Sequence, residues 1–149
     1  MSEENFTDSD LDEMLNELRV LLPGSQLLTA FLIMLPFNSG FNQIIQIDKW
    51  IFMATFIFSV TSLILFTAPA VQHRLMRPLR NRLKFKQFAS RQMIAGAIAL
   101  SFALVLGADL VMSVVFGHLI GNTITIFVAF IICILWWLLP VIWKKRRFI

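Results

Sequence analysis

The chain is poor in charge. Of its 149 residues only 15% are Asp, Glu, Lys or Arg, where a soluble domain carries ~25%. It has one cysteine, Cys133, which excludes an internal disulfide and a metal site built from several thiolates. Residues 1–17 hold seven acids and no Lys or Arg. That is the reverse of the basic start of a secretory signal, so the first apolar run is expected to stay in the protein. No HExxH, Gly-rich phosphate loop or nucleophile–base pair stands out. Catalytic, cofactor-binding and metal-binding residues are therefore assigned to none of the positions, and an enzyme is not expected.

Apolar residues fill the gap. They make up 58% of the chain, with 15 Phe and 4 Trp, which puts it among membrane proteins. Residues 50–72 and 124–143 carry no charge, and residues 92–116 carry one, Asp109. A helix needs about 20 apolar residues to cross a hydrocarbon core of about 30 Å, so each of these predicts a span. A fourth span is expected at residues 20–37. Counted from beyond Pro23 it would be only about 21 Å long, too short to cross. The helix is therefore expected to run through Pro23 with a kink, because Pro23 cannot donate to the carbonyl of Arg19.

Basic residues set the orientation. Residues 73–91 hold seven and the tail 144–149 four, while residues 38–49 hold only Lys49 and residues 117–123 none. The positive-inside rule puts the 73–91 loop and both termini in the cytoplasm. Arg19 joins them, so twelve of thirteen basic residues lie on one side. Trp50 and Trp143 then fall near opposite interfaces. His73 and His118 fall on opposite sides and cannot share a metal. Between two spans the basic loop reads as a topology signal and a contact for anionic headgroups, not for nucleic acid.

Ahead of the first span, residues 9–22 predict an amphipathic helix. Leu11, Met14, Leu15, Leu18, Leu21 and Leu22 follow helical spacing. Ser9 can cap it, and its acids sit toward the N-terminal end, where the helix dipole favours them. An acidic helix is repelled by an anionic leaflet, so it is expected to dock on the 73–91 segment, through Leu75, Met76, Leu79 and Leu83. Apolar contact has to supply most of that attraction, since exposed ion pairs add only about 0–1 kcal/mol each.

Asp109 is the main candidate for a functional polar residue. It lies toward the outer end of its span, where a charge costs about 2.5–3.5 kcal/mol unless it faces protein or water. Thr55 and Thr125 share its depth, and Lys49 could reach inward on its flexible stem. The functional reading is a proton or cation site; the alternative is a structural polar contact. Gln26, with Ser25 and Thr29, forms a second polar patch in the cytoplasmic half of the first span. It is either a substrate contact at a broken helix or inter-helix hydrogen bonding. Gly96, Ala99, Ala103 and Gly107 form a small-residue stripe for close helix packing. At ~100° per residue Asp109 points well away from that stripe.

Four stretches carry a family resemblance: NELRVLLPGSQLLTAFLIMLPFNSGF (16–41), APAVQHR (68–74), GADLVMSVVFG (107–117) and WWLLP (136–140). They resemble the small bacterial membrane proteins catalogued as domain of unknown function family 6328. The resemblance covers nearly the whole chain from Leu11 onward. Gly24 and Gln26 match its Gly-x-Gln, and His73 and Arg74 its His-Arg after the second span. It implies a bacterial four-pass architecture and no mechanism.

The expectation is thus an all-α, integral membrane four-helix bundle with a short N-terminal amphipathic helix. It forms a single domain over 1–149, multi-pass in a bacterial plasma membrane. The expected role is a non-catalytic module whose cytoplasmic face binds a partner or anionic lipid. The alternative is a subunit of an oligomeric channel or proton-coupled transporter using Asp109 and Gln26. Expected partners are the bilayer, anionic headgroups at the basic loop and, as an open option, further copies of the chain.

Overall fold

The computed structural model describes residues 3–76 and 82–145. Four helical rods account for them: α1 (Glu3–Met34), α2 (Gln46–Leu75), α3 (Arg82–Phe116) and α4 (His118–Ile132). Short 3-10 turns at Leu35–Phe37 and Phe41–Gln43 join α1 to α2. The fourth rod continues past α4 through a π-helical stretch, Cys133–Leu138, into α5 (Leu139–Lys145). Four segments are long and apolar enough to cross a membrane: Glu13–Phe37, Gln46–Leu75, Leu83–Phe116 and His118–Lys145. The all-α membrane class expected from hydropathy is the one observed.

The helices run further than the apolar windows suggested. The amphipathic segment 9–22 is not a separate helix; it is the first half of α1, which passes through Pro23 unbroken. Much of the 73–91 segment is helical as well, ending α2 at Leu75 and starting α3 at Arg82. Charged residues favour helix as readily as apolar ones do, so a charge run ends the hydrocarbon span without ending the helix. The expected outer loop 117–123 shrinks to Gly117 alone, because α4 begins at His118.

Gly117 makes that turn feasible. Its φ of 84° and ψ of 159° lie in a region essentially reserved for glycine. Its N–H donates to the Ser113 carbonyl at 3.0 Å, and its own carbonyl accepts from Gly121 N–H at 2.9 Å. The π stretch has a cause too. Pro140 has no N–H for the Trp136 carbonyl, and its ring would crowd that oxygen. One wider turn just before it relieves the crowding, with Leu139 N–H donating to the Ile134 carbonyl in the i→i−5 pattern.

The chain divides into two compact units. The first comprises residues 1–41 and 56–100, the second residues 42–55 and 101–149. In the first, Met14, Phe85 and Ala89 form a buried apolar cluster with Met93 packed against it. Leu18, Leu32 and Phe66 are buried as well. Here α2 and α3 approach closely at Gly96: a Cβ there would lie 2.8 Å from Phe66 Cε1 and 3.3 Å from Leu65 Cβ. In the second unit α3 and α4 meet at Gly121, where a Cβ would fall 2.8 Å from the backbone nitrogen of Ser113. The rest of α4 is broadly exposed and apolar. In lipid that surface carries no penalty, since acyl chains are as apolar as Leu.

The N-terminal helix lies against the start of α3, but not through the residues expected. Leu75, Met76 and Leu83 are exposed, and Leu79 is outside the described residues. Met14 instead packs in the cluster with Phe85 and Ala89. The ring of His73 closes the same region from α2, tilted 45° against Phe85 at 5.8 Å.

Candidate functional site

The first unit holds a buried hydroxyl cluster between the middles of α1 and α2. Ser25 Oγ is 2.7 Å from Ser62 Oγ, and Thr29 Oγ1 is 2.8 Å from Ser59 Oγ. Thr29 also donates to the Ser25 carbonyl at 2.8 Å, and Ser62 to the Ser59 carbonyl at 2.9 Å. Each hydroxyl has one hydrogen, so these bonds fix the directions. Thr29 and Ser62 have given theirs to carbonyls, so Ser25 donates to Ser62 and Ser59 donates to Thr29. All four residues are buried, and all four protons are engaged within the pair of helices.

This cluster separates residues that the sequence grouped together. Ser25 and Thr29 face α2, whereas Gln26, one position from Ser25, is exposed. A helix turns ~100° per residue, so adjacent polar residues point to different surroundings. Two further amides of this unit were not singled out from the sequence. The Oε1 atoms of Gln72 and Gln92 are buried and have no hydrogen-bond partner among the described residues.

The second unit contains Asp48 and Asp109. Asp109, half-buried on α3, accepts from Thr125 Oγ1 of α4 at 3.1 Å through Oδ1. Ser113 Oγ, one turn along α3, stands 3.5 Å from the same oxygen. Thr125 is thus the depth-matched residue that Asp109 meets. Thr55 is fully buried, but its hydroxyl donates to the Ile51 carbonyl at 2.7 Å. Its methyl group faces Gly107, where a Cβ would sit 3.5 Å away. Lys49 is half-buried at the start of α2.

The small-residue stripe runs through both units. In the first, Gly96 and Ala99 are buried, with Gly96 against Phe66 and Leu65 of α2. In the second, Ala103 is buried and Gly107 faces Thr55 of α2. Asp109, on a different face of α3, bonds to α4.

Asp48 is the residue that sequence reading missed. It lies in the first turn of α2 and is only 4% exposed. Its Oδ1 has no hydrogen-bond partner among the described residues. Asp48 falls among residues 38–49, between two expected spans, where a charge needs no explanation. The available signal was its place at a helix start, seven residues before Thr55 and so on the same helical face.

Four helices long and apolar enough to cross a membrane define a multi-pass membrane protein. Within that class the chain belongs to the family of unknown function DUF6328, whose family model matches residues 2–140. No curated protein and no solved structure matches it.

Proposed function

We propose that this protein is a non-catalytic membrane module whose working surface is its cytoplasmic face, which takes anionic lipid headgroups. One observation carries this reading. The hydroxyls of Ser25, Thr29, Ser59 and Ser62 direct every proton to one another or to their own helices. A conduction path needs groups that can exchange partners with a passing ion or proton; a closed set of bonds serves to hold helices together. The charge available for recognition flanks the apolar runs instead, where Arg74, Arg91, Lys144 and Lys145 are exposed. Basic residues beside a span attract anionic headgroups.

The plasma membrane is the location that fits this reading, with both termini cytoplasmic. A reporter fused after Ile149 is expected to report the cytoplasm, and one placed between Asn38 and Gln43 the exterior. To test the function, the full chain is purified from membranes and its retained lipids are measured. Phosphatidylglycerol is expected to stay with the wild-type chain and to be lost from the variant carrying Arg74→Gln, Arg91→Gln, Lys144→Gln and Lys145→Gln. Equal retention by both would reject the proposal.

A second reading, the subunit of a proton-coupled transporter, draws on Asp48. A buried carboxylate oxygen without a hydrogen-bond partner among the described residues, in the same unit as Asp109, is the kind of group a proton path uses. Proton-linked flux in liposomes that disappears in Asp48→Asn would replace the first reading with this one.

A further inference from the structure

Gln26 stands in the wrong solvent. It lies within the apolar run 20–37, ~4 Å of helix rise from its middle on the cytoplasmic side, yet it is exposed. A carboxamide at that depth has two N–H donors and a carbonyl, and acyl chains satisfy none of them. Ser25 and Thr29, ~100° and ~60° round α1 from it, already bond to α2, whereas Gln26 stays exposed.

Its neighbours form a pattern. Pro23, Gln26, Ala30 and Ile33 are all exposed, and they are spaced three, four and three residues apart. That is the alternation with which one helix meets another in a left-handed pair. The stripe is narrow at Ala30, which lets a second backbone approach. Leu27 and Met34, exposed to 75% and 69%, flank it with apolar surface.

We infer that this face of α1 packs against the same face of a second copy of the chain, with the two Gln26 carboxamides hydrogen-bonded across a twofold axis normal to the membrane. A carboxamide is its own complement, since the N–H of one donates to the C=O of the other. A twofold axis places identical residues opposite one another, so one glutamine supplies both partners. Copies inserted in the same orientation are related by such an axis. A polar residue at one core position of a helix pair also sets register and copy number.

The test uses the full chain in native membranes, in a Cys133→Ala background. Single cysteines replace Ala30, Ile33 or Phe31; Phe31 is exposed but points about 120° away from the stripe. Oxidation is expected to yield disulfide dimers at positions 30 and 33 and few at 31. Gln26→Leu is expected to weaken the dimer about five- to thirtyfold, the effect of one inter-helix hydrogen bond in model membrane peptides, while Gln26→Asn retains part of it. Unchanged helicity and detergent melting of the Gln26→Leu monomer would show that its fold survives. A wild-type chain that stays monomeric, or cross-links equally at 30, 31 and 33, would overturn the inference. So would a dimer unaffected by Gln26→Leu.

Discussion

Thr29 Oγ1 accepts from Ser59 across the α1–α2 contact while donating to the Ser25 carbonyl in its own helix. Ser62 does the same from α2, accepting from Ser25 and donating to the Ser59 carbonyl. Thr29→Val is therefore expected to strand the Ser59 hydroxyl in a buried site. Ser25→Ala removes only a donor, because Ser62 still bonds to the Ser59 carbonyl. Inter-helix hydrogen bonds in membranes are worth about 0.6–2 kcal/mol, so both variants should lower detergent stability, Thr29→Val more. Equal losses would mean that the proton directions are assigned wrongly.

The glycines separate by sign. Gly117→Ala places a side chain at a φ of 84° and is expected to cost about 1–3 kcal/mol of backbone strain. At Gly121 an added Cβ meets the backbone of Ser113, which cannot swing aside, so α3 and α4 must part there. Gly24 has nothing within 4 Å of an added Cβ. Ala is the better helix former by up to about 1 kcal/mol, so Gly24→Ala should hold or raise stability. Thermal melting of the three variants in one detergent measures the order. A Gly121→Ala protein as stable as Gly24→Ala would show that the α3–α4 approach is looser than described.

Phe85 is 5% exposed and Leu75 79%, which makes them a matched pair for the docking of the N-terminal helix. Removing a buried phenylalanine ring in a core costs about 3–5 kcal/mol, and this small cluster sits near a helix end, so the lower part of that range is expected. Phe85→Ala should free Met14 and raise protease cleavage between Glu13 and Arg19. Leu75→Ala should leave cleavage unchanged. The reverse order would put the helix on the residues expected from the sequence.

Hydropathy revealed the spans because a run without charge is a property of composition. It could not show that the amphipathic segment 9–22 and the span behind it form one helix, since charges change the solvent of a helix without ending it. Depth counting placed Thr125 and Thr55 level with Asp109. Height along the membrane does not give direction around a helix, and only Thr125 meets the carboxylate. The same limit grouped Gln26 with Ser25, although the two face different surroundings. Docking onto the 73–91 segment was legible from charge and apolar spacing. The residues making it were not, because they depend on the register of α1 against α3. Gly117 resisted reading for another reason: a sequence does not show which glycine has a positive φ.

Asp109 has a role that substitution can decide. Its Oδ1 takes a bond from Thr125 and faces Ser113, beside the α3–α4 contact at Gly121. That arrangement suits a strut between the last two spans. Asp109→Asn keeps an oxygen where Thr125 donates, so detergent stability is expected to hold or rise. Asp109→Leu removes the acceptor, leaves the Thr125 hydroxyl without it and is expected to cost about 0.6–2 kcal/mol, in the range of inter-helix hydrogen bonds in membranes. Thr125→Val removes the same bond from the other side. In a double-mutant cycle Asp109→Leu and Thr125→Val should therefore be non-additive, with a coupling of about 0.5 kcal/mol or more for residues in contact. Additive losses would show that the two side chains act independently and that the strut does not exist.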